Sequence, residues 1–569
     1  MGTYLVHMPS LTPYSGPFGK KELLHLLRRT LFGVRISDLR QLNGKSLISV
    51  IDLLLKDPPP DAGPLKTYFT VSNNVKTDNL DTTVPMGTSW ANIPIPIGAN
   101  PNPNGYRRLS YKNWWTGLQI HQDISIYEKM VLFWHNHFAT EDSVVEQALL
   151  SYYTNVALRK NTLGSFRQMV KDITLDPGML RYLNGNLNKK SAPDENYGRE
   201  LQELFCIGKG SGSGYTEDDV KAAARVLTGW TFITQKKDAN NANYAILPET
   251  SFVSANHDVA AKQFSAFYKN KQILRTPKAG EERLMAELEI DDMISMLLET
   301  DECAKFICRK LWIYFVYYDI TPDIESNVIE PLAEIFRKNY DIKEVLRALF
   351  TSDYFFKSEN FGCMLKSPTD FTIGMLRTFQ LPIPKPDDAV HSDLAYVNFS
   401  QIRNYVIKGG FDVGDPPNVA GWPAYYQAPV FHEYWLDTTT YPERKNFFEA
   451  VGKSGLNSGN SVFLDANKNQ KLTIDYVSFV KQFAHPEDPN ELINEAIELL
   501  FGVSISDAVK SQIKTTYLLL GQSSDYYWTD AYQIFIGDPS TSDPEAKRVP
   551  SMLQDLFIYL QSAAEYHLC

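Results

Sequence analysis

The chain has 569 residues, 43% of them hydrophobic and 22% charged, so it can bury a large core and is neither disordered nor fibrous. Lys and Arg number 56 against 67 Asp and Glu, and the net charge of -11 excludes a nucleic-acid coat or an anionic-membrane binder, both of which need a basic face. Five scattered cysteines, with no CxxC among them, exclude a disulfide-stapled scaffold. The start carries no basic segment followed by an apolar stretch, and apolar runs such as 311–318 fall far short of the roughly 18 residues that a bilayer requires. The expectation is a cytoplasmic chain with no membrane span, although a protein trimmed of an export leader would read the same way.

From Lys20 to Leu55 apolar residues recur at three- and four-residue spacing, broken at Gly33 and Gly44, which predicts two or three short helices. Pro58, Pro59 and Pro60 end them. Residues 57–107 are rich in Pro, Asn, Thr and Gly, and read as an ordered cover because Tyr68, Phe69 and Trp90 would reduce solubility if exposed. Helical patterning runs from Trp114 to Leu227. It then gives way to short β-branched or aromatic segments at 231–234, 244–247 and 251–254, a small hairpin or sheet. Helix resumes at Glu281 and continues to Gln380, where the proline cluster 382–386 marks the clearest boundary. The predicted architecture is mainly α, a large multi-helix protein with a small β hairpin or sheet region near 230–275 and long ordered loops. Its parts are N-terminal helices with a Pro/Asn-rich cover loop (1–110), a central helical core with the β insert (111–380) and a C-terminal helical region (381–569).

Three stretches place polar groups in apolar surroundings. In MVLFWHNHF (130–138), His135 and His137 would share a metal on a strand, but on a helix they stand about 200° apart, so one ion cannot easily take both. Each has the competing reading of a buried, hydrogen-bonded histidine. Next, 191–208 reads as a helix with Ser191 and Asp194 as capping groups, Pro193 in the first turn and Gly208 at the end. Asn196, Arg199, Glu200 and Glu203 cluster on one face, with Glu195 one turn before Arg199. The plain reading is surface ion pairing; the functional one is general acid–base chemistry or oxygen ligation of a hard cation. Third, the glycine-rich run 208–214 opens on a helix that Thr216 and Asp219 cap, but it fits no nucleotide-binding pattern and reads as a connector. Further on, His257 and Asp258 are a ligand pair or a turn. A calcium-loop start at Asp465 lacks the required glycine and final Glu and is rejected. Glu22 and His25 form the only ExxH, whereas a di-iron bundle needs two.

These segments resemble, in order, the bacterial domain-of-unknown-function 1800 family: HLLRRTLFG (25–33), FWHNHF (133–138), DENYGRELQELF (194–205), YTEDDV (215–220) with LTGW (227–230), His257 with Asp258, FICRKLW (306–312), KSP (366–368) and DPPNVAGWP (415–423). The Gly/Ser loop 208–214 and the insert between Asp57 and Tyr106 depart from the pattern. The resemblance implies a mainly helical protein of no settled activity, an exported location for many relatives, and a partner from a second family, numbered 1501, that resembles sulfatases and alkaline phosphatases. It raises Glu195, Asn196, Arg199, Glu200, Glu203, His135, His137, His257, Asp258 and Trp422 above ordinary surface residues.

Two functions emerge as expectations. One is an enzyme whose carboxylate and histidine groups line a polar cleft, catalytic through Glu195, Asn196, Arg199, Glu200, Glu203 and Arg225. A divalent metal would sit on His135, His137, His257 and Asp258, and Arg28, Arg199 or Arg225 would hold a small anionic substrate in hydrolysis or group transfer. The other is a non-catalytic scaffold that docks a partner at loop 57–107 and at the aromatic turn of Trp422 and Tyr425.

Overall fold

The structure is a computed structural model and describes residues 11–72, 75–387, 389–457 and 471–569; the Asp465 segment lies outside these. Helices dominate, and the strands form four two-stranded antiparallel ladders among the described residues. In the largest, Trp230–Lys237 pairs with Asn243–Phe252. The segments expected separately at 244–247 and 251–254 are therefore one strand, which ends at Phe252 before a turn. Pro248 does not break it, because the register shifts opposite Ile233 to Gln235 and leaves the proline outside the ladder pairs.

The described residues of the cover, 57–72 and 75–107, pack on the helices through their aromatics. Trp90 is fully buried, and Arg107, also fully buried, holds Asp81 through Nε and Nη2, each 2.7 Å from a carboxylate oxygen. Buried Lys66 donates to the main-chain oxygens of Asp81 and Val84. No helix of the described residues is long and apolar enough to cross a membrane.

Two helices bring distant cationic residues together. Lys20–Thr30 starts where Glu22 accepts the Gly19 N–H, and buries Leu23, Leu24, Leu26 and Leu27. Each buried leucine contributes roughly 1.5–3 kcal/mol. The second helix, Pro368–Thr378, has Pro368 in its first turn, and its N-cap Ser367 accepts the Asp370 N–H. The two meet where Gly33, at φ +74°, lies against Gly374; a Cβ on Gly33 would stand 2.2 Å from the Gly374 carbonyl oxygen. One contiguous core joins residues from Leu23 to Tyr566, across positions 110 and 380.

Candidate functional site

The acidic helix does not form as capped in the sequence reading. It begins at Asn196, with Asp194 accepting the Asn196 N–H and no side-chain cap from Glu195, and from Leu201 to Cys206 it widens into a π-helix. Arg199 lies 3.2 Å from Glu195, 3.6 Å from Glu203 and 2.6 Å from Glu217. Lys209 also pairs with Glu203. This is a partly exposed ion-pair lattice in which carboxylates already hold Arg199. Glu200 stays half-buried nearby, its carboxyl raised by burial and by Glu203. Asn196 donates weakly to the Leu183 carbonyl.

The two histidines of the FWHNHF segment diverge. His135, 3% exposed, packs against Trp115 and Trp422, its Nε2 has no hydrogen-bond partner, and burial lowers its pKa to about 3. His137 reaches the π-helix instead. Its Nε2 bonds to the Phe205 carbonyl at 2.9 Å and its Nδ1 to Lys310 Nζ at 3.1 Å, so the ring proton sits on Nε2 and Nδ1 accepts. Between them, Asn136 accepts the Trp422 N–H, which fixes the buried GWP turn to the helix. Trp422 is 2% exposed and stacks on Phe411 with ring centroids 3.9 Å apart, so it offers no docking surface.

His257 and Asp258 belong to a separate network. Arg225 Nε donates to Asp258 at 2.6 Å; His257 places Nδ1 2.8 Å from the Thr228 carbonyl and Nε2 3.3 Å from Glu289, which also pairs with buried Lys262. These charges stabilise one another, and Glu289 is held below the usual carboxylate range by His257 and Lys262 in spite of burial. His135, His137 and the His257–Asp258 pair thus have different neighbours. Among the described residues, no three His, Cys, Asp or Glu side chains converge as metal ligands.

A different set does converge. Two small adjoining cavities share Asp370 and Cys569. The first, of about 30 Å3, is lined by Arg28, Lys366, Leu499 and Tyr566; the second, of about 20 Å3, by Arg29, Lys129, Tyr314, Ser367 and Tyr425. Arg444 backs them, donating to the Lys366 carbonyl at 2.7 Å. Arg29, Lys129 and Arg444 are each 5% exposed or less. Five cations therefore surround Asp370, which acts as negative charge on Lys366 and Arg444, while Glu498 does so on Arg28. Many of their bonds go to dipoles rather than charges. Arg28 donates to the carbonyls of Glu498 and Leu499 at a helix end, Arg29 to the Asn360 carbonyl and the Cys363 thiol, and Lys366 to the Tyr566 carbonyl. Lys129 pairs with Asp370 Oδ1 at 2.7 Å and donates to the Arg29 carbonyl at 3.3 Å.

Unpaired donors lie around these cavities, with Arg29 lining one of them. Arg29 Nε and Arg444 Nε have no acceptor. His432 accepts the Leu365 N–H on Nδ1 and His567 faces Arg444 with Nδ1, so both neutral rings carry their proton on Nε2, again without a partner. Burial and the nearby cations lower these rings to about 4 and about 3, and burial lowers Lys366 to about 7. Burying charge costs roughly several kcal/mol per ion, which the carbonyl dipoles around these cations offset only in part.

Of these residues, the sequence reading named Arg28 as an anion holder and quoted Lys366 and Ser367 in KSP. It missed Lys129, Asp370, Arg444, His432 and His567. The available signal was Lys129 directly before the apolar run 130–134, where a cation has to find a partner inside. A family model described as "Protein of unknown function (DUF1800)" matches residues 25–541, and so opens on the segment that carries Arg28 and Arg29. No curated protein and no solved structure matches the chain. With the match covering nine-tenths of its length and the motifs in order from His25 onward, the chain belongs to the DUF1800 family.

Proposed function

We propose that this protein binds a small anion of carboxylate size in the cationic cavities between the Lys20–Thr30 and Pro368–Thr378 helices. The observation that carries the reading is the surplus of cations around the two cavities, where Arg29, lining the smaller one, has an Nε–H without an acceptor. A water needs about 10–15 Å3, so about 30 Å3 accommodates two water-sized groups, the two oxygens of a carboxylate rather than the four of a phosphate. The bound anion would offset the charge surplus and accept from the Arg29 side of the smaller cavity. This reading takes the anionic ligand away from Arg199 and Arg225, whose guanidiniums are already held by carboxylates.

Titration of the protein with acetate, with heat of binding as the readout, tests it. Binding should weaken as pH rises from 7 to 9, because Lys366 loses its proton from about 7 upward and must regain it to pair with the anion. Lys366→Met should weaken binding about tenfold or more and remove most of that pH dependence. Acetate that fails to bind at pH 6, or binds Lys366→Met equally well, would remove the reading.

A further inference from the structure

We propose that the ligand is a long-chain carboxylate, with its acid group in the cationic cavities and its apolar chain in a groove on the adjoining surface; this rests on the anion-binding reading above. The groove, of about 410 Å3, runs between the helices Lys20–Thr30, Ile36–Leu42 and Pro489–Leu500. Phe18, Leu23, Ile36, Leu39 and Leu42 line it, and Leu499 lines both the groove and the cavity that holds Arg28 and Lys366. Leu499 is therefore the shared wall, and its carbonyl also receives Arg28. An apolar chain in the groove would lie against aliphatic and aromatic side chains along its length, with Leu499 between it and the cations.

Charge at the rim favours an acid over a neutral or cationic amphiphile. Lys20, Arg40 and Lys45 stand there against Glu495, and Glu498 is engaged by Lys20 at 2.5 Å. With Lys20 paired to Glu498, Arg40 and Lys45 against Glu495 leave one net positive charge at the rim of a chain that carries -11 as a whole. The groove supplies burial for methylene groups, which the inner cavities lack the volume to supply, and those cavities supply the pairing that the groove lacks.

The full chain would be titrated with acetate, with dodecanoate below its micellar concentration, and with dodecanol. Dodecanoate should bind at least about tenfold more tightly than acetate and more tightly than dodecanol, since each buried methylene adds to affinity and the alcohol has no charge to place. Leu39→Trp, which fills the groove, should weaken dodecanoate at least about fivefold and leave acetate unchanged, whereas Lys366→Met and Arg28→Gln should weaken both. Acetate and dodecanoate binding with equal affinity would overturn the groove assignment and leave the anion site standing. Neither binding would remove the anion site itself. Dodecanol matching dodecanoate, or indifference of dodecanoate to both cation variants, would reduce the groove to apolar adsorption and overturn the proposal.

Discussion

Lys310 shows how a single side chain can be set by its surroundings. Its amine has the His137 Nδ1 and the Leu204 carbonyl as polar contacts, lies 4.9 Å above the Phe306 ring centre, and is lowered by burial to about 7. In the unfolded chain a lysine titrates near 10.4, so between pH 7 and 10.4 the unfolded state holds more protons and stability rises with pH. Below pH 7 both states are charged and the penalty is constant. Lys366 has the same displacement, so Lys310→Met should flatten only part of the rise, and should raise stability at pH 7. Urea unfolding of both proteins at pH 7, 8.5 and 10 measures this; a slope identical to that of the parent would contradict it. The residue-level reading of the sequence foresaw the divergence of His135 and His137 from helical geometry alone. It could not foresee Lys310, which reaches His137 across 173 positions and looks in sequence like an ordinary solvated lysine.

Among the elements, helices were the most legible, because their apolar spacing and caps are local. The Thr216–Asp219 capping box was expected from the residues and is present. The π-helix at Leu201–Cys206 was not, since its apolar pattern is that of an α-helix and its widening depends on where the end of the helix must lie. That widening carries the faces drawn at 100° per residue out of register and brings the carbonyls of Leu204 and Phe205 to Lys310 and His137. Close approach of elements is equally hidden. Gly33 reads as a helix end, and the segment just past the first helix touches the second there, at Gly374; Arg28, Lys366 and Asp370 line the cavity beside this contact. Gly33→Ala combines a left-handed backbone with a main-chain clash and should cost about 2–4 kcal/mol. Thermal unfolding measures the loss, and a melting temperature unchanged from the parent would show that the contact relaxes freely.

For the whole molecule, what the sequence concealed is the assembly of the cationic site from residues 28, 29, 129, 366 and 444, because periodicity reports which face is buried and not which distant faces share an interior. Acid behaviour is a property at the same scale. His25, His121, His135, His137, His432 and His567 are all shifted below the ordinary histidine value, chiefly by burial. Each is neutral in the folded chain while its unfolded counterpart gains a proton below about 6.5, so stability falls as pH drops through that value and keeps falling toward the folded pKa. Asp258, Glu289 and Asp415, held low by their cationic partners, add to the loss further down. Asp176, raised to about 6 by burial, opposes it weakly. For His135 the contribution is roughly 1.4 kcal/mol per pH unit between 6.5 and about 3. His135→Phe keeps a ring against Trp115 and removes both the titration and the unpartnered Nε2, so its stability should match or exceed that of the parent at pH 7 and exceed it by a widening margin at pH 5.5 and 4.5. Denaturant unfolding at the three pH values reads that margin directly, and a constant difference would mean that the ring is already charged or solvated in the folded protein.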